Sequence, residues 1–96
     1  MNVCIFTGEL VEDPILVKSD GVSFLDLCLL VKNYRVTKST KERSKTDAYL
    51  YFEAWASGAD AIAASFKKGD VITVQATAKN ISQEDDRVVF RINEFE

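Results

Sequence analysis

The sequence predicts an all-β domain, a five-stranded Greek-key barrel with one α-helix between its third and fourth strands. Three observations lead there. Most of the chain alternates apolar and polar residues at period two, the signature of half-buried strands. Only one stretch, just after Ala56, carries a helical stripe. That stretch stands behind three strand-like segments and ahead of two more. At 96 residues, 47% of them apolar, the chain suffices for one domain (residues 1–96) with a single modest core.

The first strand runs from Val3 to Leu10 and closes at the turn signal Asp13-Pro14. A short extension, Ile15 to Lys18, precedes the turn Ser19-Asp20-Gly21. The second strand spans Val22 to about Asn33. Leu25, Leu27, Leu29 and Val31 form one apolar face, and the opposite face (Phe24, Asp26, Cys28, Leu30) is also mostly apolar, as in a strand covered on both sides. From Tyr34 to Thr46 the chain is basic, rich in serine and threonine, and aperiodic. It reads as a long mobile hairpin loop, and connections of that length usually serve a function or are disordered.

The third strand, Asp47 to Ala56, is the most informative segment. Tyr49, Tyr51, Glu53 and Trp55 fall on one side, while Leu50, Phe52 and Ala54 fall on the other. Ser57 then offers a helix N-cap with Asp60 three residues on, and Ala59, Ile62, Ala63 and Phe66 form one stripe. Lys67 and Lys68 suit a last helical turn, and Gly69 a left-handed stop. The fourth strand, Val71 to Lys79, sets Ile72, Val74, Ala76 and Ala78 against Thr73, Gln75, Thr77 and Lys79. Gln83 to Asp86 is a polar turn, and Val88, Phe90 and Ile92 mark the fifth strand. Three strands, a helix and two strands make up the oligonucleotide/oligosaccharide-binding (OB) arrangement.

The formal charge of -3 alone argues against a nucleic-acid binder. Its distribution argues for one. Residues 32–45 hold Lys32, Arg35, Lys38, Lys41, Arg43 and Lys45 against the single acid Glu42, a local +5, leaving -8 for the remainder. Such polarity steers an anionic ligand to one face. A cationic loop beside an aromatic ribbon is how proteins hold unpaired nucleic acid, the charges following phosphate and the flat rings stacking on bases. An aromatic strand face also suits an oligomer interface, so this pattern has two uses. Glu53 sits awkwardly amid a phosphate-binding face, and either a lysine of a neighbouring strand or a base edge would satisfy it.

Catalysis finds little support. Histidine is absent, which removes the usual general base and most transition-metal sites, and no glycine-rich phosphate motif occurs. Glu84-Asp85-Asp86 lacks the spacing of a calcium loop and reads as a solvated tip. No enzyme activity, cofactor or metal is expected. Cys4 and Cys28, without a CxxC partner, read as buried reduced thiols in a cytosolic protein, with a disulfide between the first two strands as the lesser alternative. No leader or apolar run of about 20 residues signals export or a membrane span.

Several strings together resemble the bacterial-type single-stranded DNA-binding protein family: Asn2 through Gly8, Leu10 and Asp13-Pro14; Gly21 opening a strand; Ala54-Trp55-Ala56 before a helix; and Lys67-Lys68-Gly69-Asp70 after it. The resemblance covers nearly the whole chain. It implies an OB-fold that usually assembles as a homotetramer and coats unpaired DNA without sequence preference; together with the two-sided apolar second strand it leads to the expectation of a dimer or tetramer acting in replication, recombination and repair. Tyr34, Tyr49 and Trp55 fall where that family places stacking aromatics, and strand alternation adds Tyr51. Two departures follow. The Ile81–Asp86 hairpin is acidic where relatives offer an aromatic and bases, and acids there repel phosphate. The chain ends at Phe95-Glu96 without the linker and acidic tip that recruit partner enzymes, which points to a phage, plasmid-borne, minimal or truncated form. An accessory or primosomal OB protein holding a partner protein, and an RNA-binding OB domain, are the alternatives, since a base presents the same flat face in either polymer.

Overall fold

The alternating segments become six strands in the computed structural model, which describes residues 1–36 and 43–96, and for 34–36 and 43–45 the backbone alone. They are β1 (Cys4–Leu10), β2 (Ile15–Ser19), β3 (Val22–Val36), β4 (Arg43–Trp55), β5 (Val71–Asn80) and β6 (Val88–Phe95), with the helix α1 (Ala56–Ser65) between β4 and β5. The sheet order is β1-β5-β6-β4-β3-β2, and an additional β1–β3 pairing closes it into a barrel. The short segment β2 continues along the same edge of β3 that β1 occupies: Glu9 and Leu10 pair with Leu30 and Leu29, Ile15 to Ser19 with Asp26 to Val22. The predicted five-stranded barrel with one helix is therefore the fold observed, β2 being the short extension after Asp13-Pro14.

The core follows the predicted faces. Leu25, Leu27 and Leu29 of β3, Phe52 and Ala54 of β4, and Ile72, Val74 and Ala76 of β5 are all buried. Ala59 and Ile62 of α1 seal one end of this interior, while Phe6 and Phe90 pack edge-on at 5.0 Å. The outer face of β3 departs from expectation. Phe24, Cys28 and Leu30 are half-buried and Asp26 is exposed, because that face is continuous with the aromatic side of β4 instead of lying under another layer. The thiols of Cys4 and Cys28 are free and half-buried rather than sealed, so neither the disulfide nor full burial holds. Burial, with Glu12 nearby, raises the Cys28 thiol above its ordinary pKa.

Turn chemistry supplies the remaining joints. The Asn2 side chain grips the backbone of Ala78 twice, donating to its carbonyl at 2.8 Å and accepting from its N–H at 3.0 Å. This replaces a rung of the β1–β5 ladder ahead of Cys4. Asp13 accepts a hydrogen bond from the Lys68 N–H at 2.7 Å, tying the Asp13-Pro14 turn to the loop after α1. In that loop Gly69 has φ 90° and donates to the Leu10 carbonyl, a conformation that favours glycine.

Three local expectations are corrected. The helix starts at Ala56, with Trp55 in the cap position and no side-chain cap, so Ser57 does not cap it. Asp60 instead accepts from the Ser23 hydroxyl at 2.6 Å, pinning the β2–β3 hairpin to α1. The helix stops at Ser65 with Phe66 as its C-cap, so Lys67, Lys68 and Gly69 form a separate turn closed by Asp70, whose N–H bonds the Lys67 carbonyl. The third long strand begins at Arg43 instead of Asp47, because pairing with β3 extends through a stretch with no apolar alternation.

At Gly8, β1 runs close against β3. A Cβ there would lie 3.0 Å from Leu29 Cβ, 3.0 Å from the Leu30 carbonyl oxygen and 3.2 Å from a Val31 methyl. Gly8→Ala is expected to lower the free energy of unfolding by about 1–3 kcal/mol through this overpacking. An unchanged urea midpoint would show that the barrel seam can open to admit a methyl group.

Candidate nucleic-acid interface

The strand period that fills the barrel also builds its outer surface. With Phe52 and Ala54 inside, Tyr49, Tyr51 and Trp55 must point out, and they are 59%, 63% and 41% exposed. The β3–β4 register sets Leu30 opposite Tyr49, Cys28 opposite Tyr51, Asp26 opposite Glu53 and Phe24 opposite Trp55. Residues directly opposite share a face. The result is an open aromatic row with a half-buried apolar flank on β3.

Trp55 is the best-braced member. Its ring lies 4.6 Å from that of Phe24, and the Arg91 guanidinium stands 5.9 Å from its centroid, within cation–π range. Ala56, the next residue, holds φ 55°, a left-handed conformation unusual for alanine. That turn lets the chain pass from extended strand to helix within one residue and fixes Trp55 as the last outward position of β4.

Glu53 is the buried polar member of this face, at 8% exposure. Its Oε1 accepts from Lys79 Nζ at 3.0 Å, so its charge is compensated from β5, two strands away across β6. The sequence allowed it a lysine of a neighbouring strand, and the lysine observed lies one strand further off. Asp26, opposite Glu53, has its carboxyl pKa raised, first by partial desolvation and then by Glu53's charge.

Among the six predicted phosphate-binding cations, Lys32 is described and exposed, on β3 opposite Asp47. The backbone of Tyr34, Arg35, Arg43 and Lys45 belongs to the same ladder, Tyr34 opposite Lys45. Their side chains, and Lys38 and Lys41 entirely, lie outside the described residues. Three residues missed in the sequence join the face: Phe24, Lys79 and Arg91. Alternation could have found Arg91, since placing Phe90 and Ile92 inward turns residue 91 outward. In the acidic turn, Asp85 pairs with Arg87, and this contact holds its carboxyl down to about 2. One of the three acids there is thus locally neutralised. Among the described residues no group of three acidic or cysteine side chains could hold a metal ion.

No family model and no curated protein matches the sequence. Solved structures do match. The single-stranded DNA-binding protein from Thermus aquaticus superposes with a TM-score of 0.83 at 19% identity, over 100% of this chain and 49% of that one. The second single-stranded DNA-binding protein of Mycobacterium smegmatis gives 0.77 at 15% identity, over 99% and 86%. The corresponding domain of a Synechococcus protein gives 0.75 at 15%, over 100% and 94%. The chain spans about half the length of the Thermus protein. At these identities the likeness establishes the fold: an OB barrel of the kind those single-stranded DNA-binding proteins contain.

Proposed function

We propose that this chain binds single-stranded DNA through the outer face of β3 and β4, as a sequence-tolerant, non-catalytic protein that coats unpaired strands during replication, recombination and repair. One observation carries the proposal most directly: Tyr49, Tyr51 and Trp55 stand exposed in one row on a single rigid strand. Exposing three large aromatics to water is unfavourable unless a partner covers them, and unpaired bases offer flat faces for this that duplex bases hide in the stack. Fold likeness to proteins named for single-stranded DNA binding supports the same role. Lys32, at one end of the row, and the cations of residues 35–45 are the proposed phosphate contacts, with Tyr34 as a fourth stacking ring. Arg91 extends positive charge to the other end.

Titrating the lone tryptophan, Trp55, with oligo-dT over a salt series tests this. Quenching at low salt, with affinity falling steadily as salt rises, is expected from stacking combined with phosphate neutralisation. A matched duplex should compete far less well. Equal binding of duplex and single strand at moderate salt would overturn the proposal, and a matched RNA oligonucleotide winning the competition would reassign the site to RNA.

A further inference from the structure

Beside the aromatic row, β2 and β3 enclose a hollow of about 250 Å³ with a mixed chemistry. Its walls are the apolar side chains of Ile15, Val17 and Phe24, and Phe24 is the ring on which Trp55 leans. Asp26 stands in the middle of this wall, flanked in register by Ile15 on β2 and Glu53 on β4. Ile15 and Val17 are 73% and 51% exposed, so the hollow opens outward. The other two acids on its lining are Glu12 and Asp13, of which Asp13 is already engaged by the Lys68 N–H. Among the described residues the lining contains no cation.

Those features select a ligand. A phosphate is repelled by three carboxylates without a cation, so the sugar-phosphate chain must run elsewhere. A flat ring is accepted by the apolar walls, provided that its edge donates hydrogen bonds to Asp26, which is exposed and has no hydrogen bond or ion pair among the described residues. An unpaired base presents its Watson–Crick edge freely. Thymine offers one N–H between two carbonyl oxygens, and those oxygens oppose a carboxylate. Guanine offers two adjacent donors, N1–H and the N2 amino group, spaced to meet both carboxylate oxygens at once.

We infer that the Ile15–Val17–Phe24 hollow is a base subsite in which Asp26 accepts hydrogen bonds from the Watson–Crick edge of guanine and disfavours thymine. It rests on the proposed single-strand binding and adds a base preference to a platform that is otherwise sequence-tolerant. The preference is modest because the carboxylate is exposed.

The test compares an oligo-dT 15-mer with the same oligomer carrying a few isolated dG residues, too sparse to form four-stranded structures, each displacing a labelled oligo-dT. The dG-bearing strand is expected to bind about fivefold tighter, the lower end of a bidentate contact. In Asp26→Asn and Asp26→Ser the two strands should bind within twofold of each other, with oligo-dT gaining affinity as the negative charge is lost. Two variants guard against a local distortion, and far-ultraviolet circular dichroism reports folding. Equal binding of both strands by the unaltered protein, or a dG preference that persists in both variants, overturns the subsite while leaving single-strand binding intact. Failure to bind either strand overturns the parent proposal and the subsite with it.

Discussion

Replacing Trp55 with alanine is expected to weaken binding of oligo-dT by about 1–3 kcal/mol. That corresponds to roughly a 5- to 150-fold rise in Kd. The loss follows from geometry as well as ring size. Trp55 is held by Phe24 on one side and Arg91 on another, so little side-chain freedom remains to be lost when a base covers it. Tyr51, more exposed and without an aromatic partner among the described residues, should lose less when truncated. Because Trp55 is also the intrinsic fluorophore, the variant is read by anisotropy of a labelled oligonucleotide. A Kd unchanged within twofold, in a variant that melts normally, would show that bases do not stack at this end of β4.

Phe52→Ala should produce the largest loss of stability, about 3–5 kcal/mol. The side chain is 1% exposed, contacts Phe6 at 5.7 Å and Phe90 at 5.4 Å between ring centroids, and lies in register with Leu27 and Phe90. Truncation opens a cavity where β1, β4 and β6 meet, and strand backbones paired on both sides cannot collapse to fill it. Small domains are stable by about 5–15 kcal/mol in total, so a large fraction would be lost. Urea unfolding followed by circular dichroism measures it, and a cost below about 1 kcal/mol would contradict the packing of these three rings. Oligo-dT affinity measured well below the melt should change little, because the side chain faces away from the aromatic row.

The barrel and its aromatic row were legible because one physical rule governs both. Alternation that puts Leu25, Leu27, Leu29, Phe52 and Ala54 inside leaves Tyr49, Tyr51 and Trp55 no other direction. What escaped the sequence depends on partners far along the chain. The Glu53–Lys79 pair joins strands separated by β6, and no local spacing announces it. Phe24 counted as one face of a doubly covered strand, and only the register with Trp55 makes it a brace. Ser57 and Asp60 had the composition of a cap, yet a left-handed Ala56 starts the helix two residues earlier and leaves Asp60 for Ser23. The onset of β4 at Arg43 was hidden because backbone pairing propagates through polar residues that no hydrophobic pattern marks.

All 13 residues of β4 are paired with β3, from Arg43 against Val36 to Trp55 against Phe24. The strand thus behaves like a reading frame. Deleting one residue within it would invert every position downstream, sending tyrosines into the interior and Phe52 into water. Descendants of this gene can exchange side chains along β4 one at a time, but gains or losses of a single codon there should be purged, and length variation among them should gather in the connections between strands.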